Sequence, residues 1–269
     1  MTIESLLASS QVRKVIRGAS DWVDLQWSVI IDLLKRVAPQ ARGRLLDVGC
    51  GTRPYEQIFL PFVTEYLGVE NEGTFSATAA SLDSRKPDLV YSGDRLPFED
   101  RSFDTVLNVQ VLEHTPRPGA LINEMSRVLK DDGILILSAP FQFRLHEQPH
   151  DYFRYSPHGL GVLFADAGLE ITEVLSHGGL WRVIGHKLNT YLALRVAKVA
   201  GMAQGMGKLS HETATSEKAR VWTLPFVGPA MIGIAGAARL MDRLAPEPEE
   251  TLGFVVLARR AGTTSRGPT

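Results

Sequence analysis

LLDVGCGTRPYEQIF, residues 45–59, joins an apolar run to a glycine turn and the start of a helix. Gly49 and Gly51 let the backbone approach a ligand closely, and Pro54 suits the first position of a helix. The free N–H groups at such a helix start favour a negative group. A dinucleotide site would need G-x-G-x-x-G, and Pro54 stands at its third glycine position. Asp47 also puts a carboxylate where a pyrophosphate would have to sit. A ligand carrying positive charge fits this turn better.

Working outward, RLLDVG (44–49), YLGVE (66–70), DLVYSG (88–93), FDTVLNV (103–109) and ILILSAP (134–140) are short apolar runs that predict strands. Between the last two, PGALINEMSRVLK (118–130) carries Leu121, Met125, Val128 and Leu129 at helical spacing, and Asp-Asp-Gly ends it. PHGLGVLFADAG (157–168) predicts a further helix, LEITEVLS (169–176) a strand, and LGFVVLARR (252–260) a strand that rejoins the sheet. Strands alternating with helices predict an α/β architecture, a doubly wound parallel sheet covered on both faces.

Two more acids close the strands after Asp47: Glu70 in GVEN and Asp94 in SGDRLPF. Open α/β sheets bind ligands outside the carboxyl ends of their strands. An acid ending the second strand can accept both hydroxyls of a ribose, and Asp94 is placed to take the amino group of an adenine. One such acid is commonplace as a loop carboxylate or helix cap. Three at successive strand ends are not.

DVGCG, GVEN, SGDRLPFEDRSFDTVLNVQVLEH and RVLKDDGILILSAP follow in that order between about Leu45 and Pro140. This series resembles the class I S-adenosylmethionine-dependent methyltransferases, above all their type 11 small-molecule branch. The resemblance implies a Rossmann-like, mostly parallel seven-stranded sheet with an antiparallel last strand, for which LGFVVLARR is the candidate. N-terminal helices and a helical insertion before that strand complete the expected fold. It implies S-adenosyl-L-methionine as cofactor. Asp47, Gly49, Cys50 and Gly51 would line the methionine portion, Glu70 and Asn71 the ribose, and Asp94, Arg95 and Leu96 the adenine. Asn108 to Gln110 would lie near the sulfonium. Arg53 stands where many members have a third glycine; it either pairs with the cofactor carboxylate or points to solvent.

His146-Glu147-Gln148-Pro149-His150 fits the HExxH pattern of zinc metalloproteases. A zinc site of that kind needs both histidines on one helix, one turn apart, and Pro149 would break that helix at a cost of about 3 kcal/mol. We therefore expect no metal here. The stretch follows the fifth predicted strand, so it leaves the sheet at the edge that carries acceptor loops. It resembles the HDYFRY-type segment of methyltransferases from bacterial sugar and cell-envelope pathways. Methyl transfer to a hydroxyl needs a base, and histidine is the usual one. His150, with Asp151 beside it to orient the ring, is the first candidate; His146 is the second and His114 the third. Bracing of the loop by His150, Asp151 and Arg154 is the structural alternative.

The chain has 269 residues, is 44% hydrophobic and carries a formal net charge of −1, with Lys and Arg scattered. That argues against a nucleic-acid partner. Cys50 is the only cysteine, which excludes an intrachain disulfide and makes the cytoplasm the default location. Residues 1–40 predict an N-terminal helical cap without a secretion signal, and residues 41–177 with 246–260 the methyltransferase core. Residues 178–245 predict a helical apolar insertion and 261–269 a disordered tail. Within the insertion, 180–200 predicts an amphipathic helix and 201–219 a polar linker. Residues 221–238 are uncharged, at the lower limit for crossing a bilayer, but Pro225, Gly228 and Pro229 interrupt them. Core or homodimer interface is one expectation for the insertion; peripheral membrane contact serving a lipid-linked acceptor is the other. The competing functional class is a non-catalytic cofactor-binding protein or partner subunit of the same fold.

Overall fold

The structure, a computed structural model, describes residue 18 and residues 20–72, 86–199 and 217–261. Its contacts divide into two units. Asp32–Phe141, Tyr152–Leu175 and Gly253–Thr269 make a sheet unit; Met1–Ile31, Gln142–Asp151 and Ser176–Leu252 make a helical unit.

The sheet unit has seven strands: β1 (Arg44–Val48), β2 (Glu65–Asn71), β3 (Leu89–Tyr91), β4 (Phe103–Val109), β5 (Leu129–Pro140), β6 (Leu169–Ser176) and β7 (Gly253–Arg260). Their order is β3-β2-β1-β4-β5-β7-β6. β1 to β5 pair in parallel, and β7 runs antiparallel to β5. The expected antiparallel last strand is therefore LGFVVLARR. The continuous apolar runs of β1, β4 and β5 are buried on both faces, as central strands flanked by helices require. The edge strands differ: β3 is three residues long with Leu89 and Val90 exposed, and β6 has exposed residues interleaved along its length.

Helices form where local signals and apolar spacing agree. Helix α1 spans Leu25–Val37 and the short α2 spans Glu56–Phe59. Helix α3 (Pro118–Val128) starts on its proline and turns Leu121, Ile122, Met125 and Val128 into the core. In α4 (Pro157–Asp166) the Ser156 hydroxyl accepts the Gly159 N–H at 3.1 Å as an N-cap. One boundary differs from the sequence reading. Helix α3 ends at Val128, because Leu129 pairs beside Phe103 and Ile134 beside Thr105. Lys130 to Gly133 are the slack of a bulge in β5 rather than the end of a helix.

In the helical unit, α5 (Leu180–Val199) and α6 (Glu217–Leu244) pack antiparallel. The Arg182 guanidinium meets the Asp242 carboxylate at 3.3 Å, and the Asn189 amide donates to the Met231 carbonyl at 3.2 Å. A side chain at Gly185 would collide with Ala238 and Leu25, so these backbones approach closely. Here two expectations need correcting. Residues 217–219 are helical, and α6 runs unbroken through positions 225 and 229. Each interior proline costs a helix about 3 kcal/mol, so packing along α5 outweighs local propensity. No described helix is long and apolar enough to cross a membrane. Residues 1–17 and 19 of the expected N-terminal cap, 200 of the expected helix, 201–216 of the expected linker and 262–269 of the expected tail lie outside the described residues.

Candidate active site

The chain steps from β1 outward to β2 and β3, then crosses back to β4, so the strand order reverses between β1 and β4. Crevices at such reversals, on the carboxyl side, are where doubly wound sheets hold ligands. The glycine turn leaves β1 there. Gly49 has φ +77° and Gly51 φ +50°; a Cβ on Gly49 would strike Val111 at 2.5 Å. The turn is tied to β2 by Gly49 and Cys50 N–H groups that donate to the Val69 carbonyl at 2.9 and 3.1 Å.

Glu70 closes this arrangement. One carboxylate oxygen accepts the Gly51 N–H at 2.9 Å and the other the Asn71 N–H at 3.1 Å. The carboxylate is thus fixed at the carboxyl end of β2. The Asn71 amide donates to the Gly93 carbonyl at 2.8 Å, which anchors the loop leading to Asp94. Asp94 itself is exposed and ion-paired with Arg117, and Arg95 is exposed. Leu96 is a core side chain; what it offers outside the core is backbone, and its N–H donates to Glu124 at 2.9 Å.

Arg53 does not point to solvent. It occupies the left-handed region, φ +59°, which costs a non-glycine residue about 1–2 kcal/mol. Two ion pairs offset that cost: Glu56 at 2.8 Å and Asp88 at 2.6 Å, on a guanidinium only 11% exposed. Asp88 in turn accepts the Gly68 N–H at 2.7 Å. Arg53 clamps the turn to β2 and the loop before β3.

Asp47 is 1% exposed and accepts a hydrogen bond from the Tyr66 hydroxyl. Burial pushes its carboxyl up to about 7; the Tyr66 hydrogen bond pulls it down, Glu70 raises it and Arg53 lowers it. Burial likewise pushes the Cys50 thiol up, so it is no nucleophile. At the end of β4, Gln110 is held at φ +55°, its backbone N–H on the Ser138 carbonyl and its side chain on the Ser138 hydroxyl at 3.0 Å. Backbone strain of this kind clusters at functional sites. Asn108 is fully buried, donates to the Val48 carbonyl at 2.9 Å, and leaves Oδ1 with no hydrogen-bond partner among the described residues.

The two histidines of HEQPH differ in burial: His146 is buried and His150 exposed. Residues 143–156 form no helix, so the geometry of a helical HExxH site is missing. In the helical unit the Asp151 carboxylate accepts the His146 backbone N–H at 2.9 Å and lies 3.3 Å from His146 Nδ1. Asp151 therefore lies against the buried His146, whose Nδ1 is also 3.3 Å from the Arg144 carbonyl, and the His150 side chain is exposed. The reason is directional. The chain turns at 147–150, where the His150 N–H bonds the Glu147 carbonyl, and this brings Asp151 back over His146. Phe143 packs edge-on against the His146 ring at 5.0 Å and against His186 of α5 at 5.1 Å, which holds the dyad on the helix. In the sheet unit His114 ends the short 3-10 turn Leu112–His114, with Nε2 3.8 Å from Glu113.

The sequence profile of a family described as a methyltransferase domain matches residues 46–137. Residues 46–137 are thus similar to a methyltransferase domain over about a third of the chain. An uncharacterized methyltransferase of Mycobacterium tuberculosis is 37% identical over 102 residues, 37% of this chain and 40% of that one. One from Mycobacterium leprae is 37% identical over 103 residues, 38% of each chain. The chain thus spans about two fifths of the length of the curated relatives it matches. Among solved structures, a chain in the complex between the Haloferax volcanii Trm112 methyltransferase activator and a methyltransferase shares the fold. Its TM-score is 0.52 at 15% identity, covering 94% of this chain and 97% of that one.

Sequence reasoning passed over two residues of the sheet unit. Glu113 is fully buried beside His114, and the Tyr155 hydroxyl donates to the Leu112 carbonyl at 3.0 Å. LEH and DYFRY were both in view; what was missing was that Tyr155 ties the segment after β5 to the turn after β4. The buried acid gives a testable pH dependence. Asp47 titrates near 7 when folded against 3.8 as its ordinary value, so the folded state holds the extra proton. Its contribution is complete below about 3.8 and is lost as pH rises through about 7. Asp47→Asn should remove that decline, a difference on the order of a few kcal/mol between pH 5 and pH 8. Denaturant unfolding of both proteins at the two pH values reads it. An unchanged pH slope in the variant would exclude a neutral buried Asp47.

Proposed function

We propose that the protein is an S-adenosylmethionine-dependent methyltransferase that methylates a hydroxyl on a small-molecule, sugar or lipid-linked acceptor. The observation that carries this reading is Glu70. Its carboxylate is locked by two backbone N–H groups at the carboxyl end of β2, beside a glycine turn whose Gly51 faces open space: a Cβ there would meet nothing within 4 Å. Those features fit the cofactor, and the unpartnered Oδ1 of Asn108 adds a buried acceptor at the end of β4.

When bound, S-adenosylmethionine supplies a methyl group already activated on a sulfonium. Glu70 and Asn71 would take the ribose, the backbone of Gly49, Cys50 and Gly51 the methionine portion, and Asp94 the adenine amino group, with Arg95 and the Leu96 backbone beside it. Asp47 and Gln110 would face the charged end. What remains for the chain is to align the acceptor at about 3 Å, exclude water and remove one proton. The candidates for that proton transfer are His114, at the end of β4, and His146, with Asp151 3.3 Å from its Nδ1.

The test is turnover. Purified protein with S-adenosylmethionine and hydroxyl acceptors should release S-adenosylhomocysteine in proportion to methylated product. Tight cofactor binding without turnover across hydroxyl-bearing sugars, phenols and isoprenoid-linked acceptors would favour a binding role instead. Failure to bind the cofactor at all would remove the reading.

A further inference from the structure

Helices α5 and α6 expose an apolar surface that the methyl-transfer reading leaves unexplained. From Gly228 to Leu240 the exposed residues of α6 are Pro229, Ala230, Ile232, Gly233, Ala237 and Leu240, without one polar side chain among them. Leu240 is 55% exposed and Leu244, one turn on, 70%. On α5, Ile184, Leu188 and Tyr191 recur at four- and three-residue spacing and are 40 to 54% exposed. Patches of this kind on a soluble surface mark contact sites.

The charges say what kind of contact. Among the side chains described on the two helices, those of 180–195 and 228–244, every exposed charged one is a cation: Lys187, Arg195 and Arg243. The acid Asp242 is turned inward, where it accepts the Gly179 N–H at 3.1 Å and meets Arg182 at 3.3 Å. Arg239 also turns inward, onto the Ser28 hydroxyl at 3.1 Å and the Trp22 ring at 4.1 Å. By sequence the two helices hold eight Lys and Arg against Glu217 and Asp242, a net of +6 in a chain whose total is −1. Even with the glutamates of the loop that follows, residues 180–250 keep a net of +3. A second copy meeting this face symmetrically would set cation against cation. A negatively charged surface that also accepts apolar side chains is complementary on both counts.

We propose that the outward faces of α5 and α6 dock on an anionic lipid surface. Ile232, Leu240 and Leu244 enter the acyl boundary, and Lys187, Arg195 and Arg243 lie among the headgroups, as in interfacial helices that lie on a bilayer without crossing it. The inference does not depend on the methyl-transfer reading, since its readout is binding.

Vesicle sedimentation with the full chain tests it, comparing phosphatidylcholine alone with phosphatidylcholine mixed with phosphatidylglycerol. Wild type should sediment with the mixed vesicles, remain free with the neutral ones, and be released by high salt. Ile232→Glu with Leu240→Glu, both at exposed positions, should lower the partition coefficient at least about tenfold. Lys187→Glu with Arg195→Glu offers a second readout if the first pair disturbs folding, and should reduce binding to mixed vesicles only. No vesicle binding by wild type overturns the proposal, as does unchanged binding in both double variants. So does equal binding to neutral vesicles. A wild-type dimer in lipid-free solution that Ile232→Glu with Leu240→Glu converts to monomer would also overturn it and assign the face to a second copy.

Discussion

His146→Ala is expected to lower kcat by about 10²- to 10⁴-fold while leaving S-adenosylmethionine affinity nearly unchanged, the usual range for loss of a positioned general base. The ground is the Asp151 carboxylate 3.3 Å from Nδ1, which stabilises the imidazolium formed when the ring takes a proton. The deficit should be smallest at high pH, where solvent removes the proton instead. Asp151→Asn, a change in the positioning residue, should show a smaller loss of kcat and an altered pH profile with KM little changed. His150→Ala should stay within a few-fold of wild type, since its side chain is exposed. A fully active His146→Ala enzyme with the wild-type pH profile would exclude the base role and turn attention to His114 beside Glu113. Because His146 is packed against Phe143, a thermal melt of the variant belongs with the kinetics: loss of stability together with acceptor affinity would mean bracing, not proton transfer.

Glu70→Ala should weaken cofactor binding by about 10- to 100-fold, the range for one or two hydrogen bonds to a charged acceptor. The same change strips the Gly51 and Asn71 N–H groups of their acceptor, so the glycine turn loosens as well. Glu70→Gln keeps an acceptor oxygen and should recover part of the affinity. Asp94→Ala should reduce affinity with little effect on stability, because its pairing with Arg117 is exposed and such pairs contribute about 0–1 kcal/mol. Calorimetric titration with S-adenosylhomocysteine, beside thermal melts, separates the two effects. Wild-type affinity in both Glu70→Ala and Asp94→Ala would sink the cofactor assignment.

What could be read from the chain alone was what neighbours in sequence decide. Apolar runs of strand length alternating with helical spacing specify a parallel sheet, and Gly49 and Gly51 flanked by Asp47 specify the turn that begins the site. Both follow from backbone stereochemistry and burial, which act within a few residues. Three features were settled only by tertiary structure. Arg53 took Asp88, 35 residues away, as its partner, which no local rule for a left-handed arginine contains. Asp151 came to lie against His146, five residues back, because the turn at 147–150 folds the chain back, a pairing that proximity in sequence does not give. Helix α6 continued through two prolines because its long contact with α5 outweighs the local penalty. In each case a contact distant along the chain was stronger than the preference of the residue itself, and the energy of such a contact exists only once the fold has formed.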